Sequence, residues 1–142
     1  MALPHGPVAT SSEAEAALFD LVDVYDREFE SAAATVSLTP AQACLLGRLD
    51  EPHGMGALAE ELGCDASNIT QIVARLEALG LVAREPNPHD RRARLVARTP
   101  RGDATNRRFQ ETFAFARTAI GRLTPDEQDQ LTRLVRKVLS CD

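Results

Sequence analysis

The chain has 142 residues, of which 44% are hydrophobic and 26% charged, and its formal net charge is −5 at pH 7. This length and composition are typical of one globular domain that folds around its own core without disulfide support. No apolar run reaches membrane-spanning length, and the first residues lack the basic flank and hydrophobic block of a secretory signal, so we expect a cytoplasmic protein with no membrane partner.

The N-terminal part of the chain is expected to form a loose tail followed by one long helix. Residues 1–10 contain two prolines and show little periodicity. Ser11 or Ser12 can cap a helix, and apolar residues then recur at steps of three and four until about Val36. One face of this helix would carry the apolar side chains of Ala14, Leu18, Leu21, Val22, Tyr25 and Phe29.

A second helix is predicted to begin at Pro40. Thr39 can cap it, Pro40 suits the first helical position, and Gln42 completes a capping box. Its apolar face would be formed by leucines 45, 46 and 49, and the segment 51–54, which contains proline and glycine, would end it.

Two further helices are predicted close together. The first spans residues 55–62 and is closed by Gly63. After a short turn, Asp65 or Ser67 caps the next helix, which runs to Leu79. This helix has a buried stripe (Ile69, Ile72, Val73, Leu76 and Leu79) and an opposite face of small polar side chains.

A hairpin is predicted next. The strand-like segments 81–85 and 92–99 are joined by a proline-containing loop, which indicates two strands with a long basic tip. Between Arg84 and Arg108 eight arginines stand against three acids, a local net charge of +5, so the rest of the chain carries −10. Phosphate binding depends on such local clustering, so the acidic total does not exclude nucleic acid.

The C-terminal part is predicted to contain two more helices. One runs from about Asp103 to Ile120, where Gly121 breaks it. The last is capped by Thr124, with proline at its first position and glutamate completing a capping box. Its apolar face comprises Leu131, Leu134, Val135, Val138 and Leu139.

Two short helices joined by a tight turn and followed by a hairpin predict a winged helix-turn-helix. The major groove of a DNA duplex is about 12 Å wide and admits one helix, which must present short polar side chains to the base edges. The helix that follows Asp65 fits this requirement, since its outer face carries no acid before Glu77. Its N-terminal amides would also favour a nearby phosphate.

The sequence resembles the MarR family of bacterial transcriptional regulators (multiple antibiotic resistance regulators). The resemblance covers about residues 12–140 in family order and spacing. It rests on the segments LTPAQ (38–42), LAEELG (58–63), SNIT (67–70), LEALGLVAR (76–84), DRR (90–92) and TPRG (99–102). The DRR segment after GLVAR carries the most specific part of the match.

The resemblance implies a mainly α-helical homodimer with a small β-hairpin wing. Residues 11–142 would form a single domain, with dimerisation helices at about 11–36 and 103–140 and the winged helix-turn-helix at about 38–102. Both terminal helical regions would interleave with those of the partner. The dimer-interface candidates are Leu18, Phe113, Ile120, Leu131, Leu134 and Val138.

The resemblance also implies binding to double-stranded DNA at an inverted-repeat operator, with the recognition helix in the major groove. The base-reading candidates are Ser67, Asn68, Thr70, Gln71 and Arg75. Arg92 is the minor-groove candidate, with Asp90 expected to hold its guanidinium in place, and Arg91 and Arg94 are expected to contact phosphates.

One position departs from the family pattern. Family members usually have a leucine before the threonine of the second wing strand, whereas this chain has Arg98. Arg98 could leave a core-facing position unfilled, shift the register of the strand, or add a phosphate contact.

The expected function is a repressor released by a small, largely apolar or aromatic anion. The resemblance implies a cleft for such a ligand between the dimer helices and the winged domain, with Tyr25, Phe29 and Arg48 as the candidates for lining it. Two alternatives stay open: a redox-sensing regulator acting through Cys64, and a DNA-binding protein without an effector. Neither the histidines nor the cysteines have metal-ligand spacing, and no nucleophile motif occurs, so we expect no metal, no cofactor and no enzymatic activity.

Overall fold

The computed structural model describes residues 9–140, in which the chain forms seven helices and a three-stranded sheet. The elements are α1 (Glu13–Thr35), α2 (Pro40–Gly47), β1 (His53–Gly54), α3 (Met55–Leu62), α4 (Ala66–Ala78), β2 (Val82–Asn87), β3 (Asp90–Arg98), α5 (Pro100–Thr112), α6 (Phe115–Ile120) and α7 (Pro125–Leu139). The mainly α-helical class with a β-wing is confirmed. Residues 1–8, most of the expected tail, and Cys141 lie outside the described residues.

Side-chain caps begin α1, α2, α4 and α7 where the sequence predicts them. The Thr39 hydroxyl accepts from the Gln42 amide at 3.2 Å, and the Gln42 side chain accepts from the Thr39 amide at 3.0 Å. Thr124 and Glu127 form the same reciprocal pair at the start of α7. Each cap satisfies amides that have no partner inside the helix, which is why these starts can be predicted locally.

The sheet is larger than the expected two-stranded hairpin. Its order is β1-β3-β2, all antiparallel, with His53 of β1 opposite Val96 of β3. The expectation missed β1 because a strand of two residues is too short to show an alternating pattern. The wing strands are also longer than predicted, so only residues 88–89 separate them.

The helix predicted over 103–120 ends at Ile120 as expected, but the structure differs from the prediction at its start and in its middle. Thr99 caps α5 and Pro100 is its first residue, the same signal that starts α2 and α7. The helix then ends at Thr112, and the chain bends at Phe113, whose ψ is 77°, before α6 begins. The predicted single helix is therefore wrong, since it begins earlier and is broken.

The buried core lies in the winged domain and the elements next to it. Its fully buried large side chains come from α2, α3, α4 and β3: Leu45, Leu46, Leu58, Ile69, Val73, Leu76 and Val96. In α1 only Ala32 and Ala33 are buried, and α7 has no buried residue. Most of α1 and all of α7 thus add little to the core of one chain. None of the helices between residues 9 and 140 has both the length and the apolar character that a membrane span requires.

Candidate nucleic-acid interface

The α4 helix has one buried and one exposed face. Ile69, Ile72, Val73 and Leu76 are buried, as the sequence predicted, whereas Leu79, the fifth residue of the predicted stripe, is half-buried just past the end of the helix. The five base-reading candidates are all exposed: Ser67, Asn68, Thr70, Gln71 and Arg75. Because its apolar side chains anchor α4 on the core, the helix presents this polar face at a fixed orientation.

The N-terminus of α4 is capped by Asp65. The carboxylate accepts from the Asn68 amide and from the Ser67 hydroxyl, both at 2.8 Å. These hydrogen bonds, the amide first, lower the pKa of Asp65. An anion therefore already occupies this helix end, which weakens the expectation that its amides attract a phosphate.

The polar side chains of α4 differ in what they can still donate. The hydroxyl of Ser67 donates to Asp65, and that of Thr70 donates to the Ala66 carbonyl at 2.8 Å. Both hydroxyls retain lone pairs that can accept. Within residues 9–140, the side chains of Asn68, Gln71 and Arg75 make no hydrogen bond. These three side chains keep their full capacity to meet base edges.

The wing tip exposes three arginines, at positions 91, 92 and 94. None of them forms a salt bridge in the described part of the chain. The expected contact between Asp90 and the Arg92 guanidinium is wrong, since the Asp90 carboxylate accepts from the Arg92 backbone amide at 3.0 Å. Asp90 thus holds the backbone of the turn and leaves the guanidinium free.

Two other arginines of the basic segment are already paired. Arg84 of β2 bonds Glu77 of α4 at 2.8 Å. Arg98 forms ion pairs with Asp50 at 3.0 Å and with Asp103 at 2.9 Å. These acidic partners were not predicted from the sequence. Asp50 lies 48 positions from Arg98, and the nearer acids, Glu77 and Asp103, follow no local pattern that pairs them with an arginine.

All three expectations for Arg98 are wrong. The position is filled by the arginine itself, whose side chain is 12% exposed. The register around it is regular, with Arg98 opposite Val82, and the irregularity lies near the tip, between Pro86 and Asn87. Its guanidinium is engaged within the protein, so it is not free for a phosphate contact.

Two of the three ligand candidates pack against each other, and the third lies at the end of another helix. Tyr25 and Phe29 belong to an aromatic cluster that contains Phe109, Phe113 and Phe115, with ring centroids 5.0 to 6.1 Å apart. Arg48 is exposed at the C-terminal end of α2. Cys64 is half-buried in the turn before α4, with its Sγ 3.5 Å from the Leu62 carbonyl oxygen.

The dimer-interface candidates differ in how far the single chain already covers them. Leu18, Ile120, Leu134 and Val138 are exposed in the single chain. Leu131 is half-buried. Phe113 packs within its own chain, edge-on against Tyr25 and Phe29.

Comparison with known proteins supports one family. A sequence profile of the MarR family matches residues 36–93. The HTH-type transcriptional repressor MdtR of Bacillus subtilis (strain 168) is 32% identical over 108 residues, which cover 71% of this chain and 67% of MdtR. The transcriptional regulator HosA of Escherichia coli O111:H- is 29% identical over 116 residues, covering 72% of this chain and 78% of HosA.

Solved structures agree with these sequence matches. A MarR mutant from E. coli complexed with operator DNA superposes with a TM-score of 0.70 and 28% identity, covering 90% of this chain and 95% of that one. The relatives are regulators of transcription and not enzymes. The chain belongs to the MarR family of transcriptional regulators and has the winged helix fold of that family.

Proposed function

We propose that this MarR-type regulator, which binds DNA, is a homodimeric repressor that reads an inverted-repeat operator and is released by a small, largely apolar or aromatic ligand. The observation that carries the proposal is that the described part of the chain exposes two sets of unengaged polar side chains, one on α4 and one on the wing. The outer face of α4 offers three unengaged polar side chains, and the wing offers three arginines without an acidic partner in the described residues.

The two groups would divide the work of binding. Asn68, Gln71 and Arg75 of α4 would meet base edges in the major groove, where a good bidentate pair discriminates by about 1–3 kcal/mol. Ser67 and Thr70 would act there as acceptors. Arg92 would enter the minor groove beside each half-site, where a narrow A·T-rich groove attracts arginine. Arg91 and Arg94 would contact phosphates, which add affinity without sequence preference.

The homodimer is supported by the apolar surface that one chain leaves uncovered. Leu134 is 61% exposed and Val138 is 70% exposed, and both lie on α7. Further large apolar side chains of α1, α6 and α7 are also exposed: Leu18, Phe19, Leu21, Val22, Ile120, Val135 and Leu139. Apolar surface on this scale marks an interaction site. A two-fold dimer would place two α4 helices on half-sites about 10 base pairs apart.

Alanine substitutions can distinguish residues that contact phosphates, and so add affinity for any DNA, from residues that contact base edges, and so give sequence preference. Arg94→Ala is expected to weaken operator and random DNA alike and to flatten the dependence of log K on log salt concentration by about one unit. Gln71→Ala is expected to reduce the difference in affinity between operator and random DNA and to leave the salt dependence of binding nearly unchanged. Arg92→Ala is expected to cost about 2 kcal/mol or more of operator binding. Fluorescence anisotropy over a salt series measures all three.

Arg122→Ala is the matched control, because it removes the same charge from an exposed position between α6 and α7. It should leave both affinities within twofold of the parent. Parent-like operator binding by Arg92→Ala would show that the wing is assigned wrongly. Equal losses on operator and random DNA for Gln71→Ala would show that α4 does not read bases.

Repression is supported by the similar protein MdtR, which is described as a transcriptional repressor. Release by a ligand is supported by the aromatic cluster around Tyr25 and Phe29, which lies where α1 meets α5 and α6, beside the winged domain. If a ligand relieves repression, DNA must weaken ligand binding by the same factor by which the ligand weakens DNA binding. We expect titration calorimetry with a panel of aromatic carboxylates, benzoate among them, to show weaker binding once operator is present. Equal affinity with and without operator would contradict the release mechanism, and no binding by the whole panel would contradict the ligand class.

A further inference from the structure

The base of the wing contains a nearly buried arginine that joins three elements. Arg98 is the last residue of β3, and its guanidinium makes three hydrogen bonds. Nε donates to Asp103 of α5 at 2.9 Å, and Nη1 donates to the Leu46 carbonyl of α2 at 3.0 Å. Nη2 donates to Asp50, beyond the end of α2, at 3.0 Å. Each of the three nitrogens therefore has its own acceptor.

The acceptors suit a guanidinium better than any other side chain. Two of them are carboxylates, and the third is a carbonyl at the C-terminal end of α2, where the helix dipole places partial negative charge. A guanidinium is planar and offers its donors in a fixed fork, so three acceptors in three directions define its orientation. A lysine ammonium at the same place could not hold the three acceptors in that arrangement.

The junction around Arg98 lies between the elements proposed to contact DNA, α4 and the wing strands β2 and β3, and the rest of the chain. We call these three elements the reading head. Only Thr99 separates β3 from α5, and Thr99 donates its hydroxyl to the Gly80 carbonyl at 2.7 Å. Beyond this corner, α5 leads to α6 and α7, which carry much of the exposed apolar surface. Any change of the angle between β3, α2 and α5 would therefore change the angle between the wing and the proposed dimer helices.

We propose that Arg98 is a positioning residue that fixes the angle between each reading head and the proposed dimer helices. This fixed angle would make the affinity for an operator depend on the spacing of its half-sites. The inference rests on the proposed homodimer and its inverted-repeat operator. Adding or removing one base pair between half-sites turns them by about 36° and moves them by about 3.4 Å relative to each other. A head held rigidly at the Arg98 junction rejects such operators, whereas a head freed from it tolerates them.

The test measures binding to three operators, one with the optimal spacing and two with one base pair added or removed. Arg98→Leu introduces the residue that the family usually has, and Arg98→Lys keeps only the charge. Both variants are expected to bind the optimal operator at least tenfold more weakly and to lose most of the preference for that spacing. Arg84→Leu is the control, because it breaks an ion pair that joins α4 to β2 inside the reading head. It is expected to keep the spacing preference.

The outcomes separate this inference from the proposed function. If the parent protein shows no spacing preference, the inverted-repeat operator is wrong. If the parent protein prefers the optimal half-site spacing and Arg98→Leu shows the same preference, the positioning role is overturned. Should Arg98→Leu fail to fold, the same measurement is made on a double variant, Asp50→Asn with Asp103→Asn. This variant removes both acidic partners and retains the arginine. Loss of spacing preference in that variant supports the role, and an unchanged preference overturns it.

Discussion

Gly102→Ala is expected to lower the free energy of unfolding by about 3 kcal/mol or more, the upper range for forcing extra atoms into a packed core. A Cβ at this position would lie 2.0 Å from the Leu81 carbonyl oxygen and 3.0 Å from its carbonyl carbon. These are backbone atoms, so no side-chain rotation relieves the contact. The Leu81 carbonyl also accepts from the Thr99 amide at 3.1 Å, which ties the start of β2 to the start of α5. Methyl insertion must therefore separate elements that the fold holds together.

Urea denaturation followed by circular dichroism measures this effect. Gly56→Ala is the matched control, because Gly56 lies in the first turn of α3 and its added Cβ would meet nothing within 4 Å. The control is expected to be neutral or to gain about 0.5–1 kcal/mol from the better helix propensity of alanine. Similar midpoints for the two variants would show that α5 does not approach β2 as closely as described.

Leu134→Glu combined with Val138→Glu is expected to dissociate the dimer and, with it, to abolish tight operator binding. Each substitution puts a charge without a partner into a surface that we propose is buried between subunits, which costs several kcal/mol per group. Two-fold symmetry doubles the number of buried charges to about four per dimer. Because α7 has no buried residue in the single chain, the monomer should keep its fold. Sedimentation at micromolar concentration measures the mass, and circular dichroism checks the fold.

Arg133→Glu combined with Arg136→Glu controls for charge. Both arginines lie on α7 away from its apolar face, and their replacement adds more negative charge than the test pair does. This control should remain dimeric. If the Leu134→Glu, Val138→Glu variant is still a dimer and binds operator, the interface lies elsewhere. If the parent protein sediments as a monomer, the proposed homodimer is wrong.

Local sequence patterns were sufficient to predict most helices and the two faces of α4. The caps at Thr39 and Thr124 act over three residues, and the buried stripe of α4 follows the period of the helix. The same reasoning could have placed the start of α5, since Thr99 and Pro100 repeat the signal used for α2 and α7. The five base-reading candidates lie on the exposed face for the same local reason.

Other features could not be read from local patterns. β1 exists only because His53 and Gly54 meet β3, more than forty positions away. The bend at Phe113 occurs where its ring packs against Tyr25 and Phe29 of α1. Neither feature has a signature within a few residues of the chain, since each depends on contacts between distant segments.

The sequence by itself determined that a basic wing follows a polar recognition helix, because charge, period and capping are properties of neighbouring residues. Tertiary structure alone decided which arginines of that wing remain available. Glu77 engages Arg84, and Asp50 and Asp103 engage Arg98, whereas the Arg92 guanidinium has no acidic partner in the described chain. Arginines are chemically alike in a sequence, and only the fold brings an acid within hydrogen-bonding distance of one and leaves another exposed to solvent.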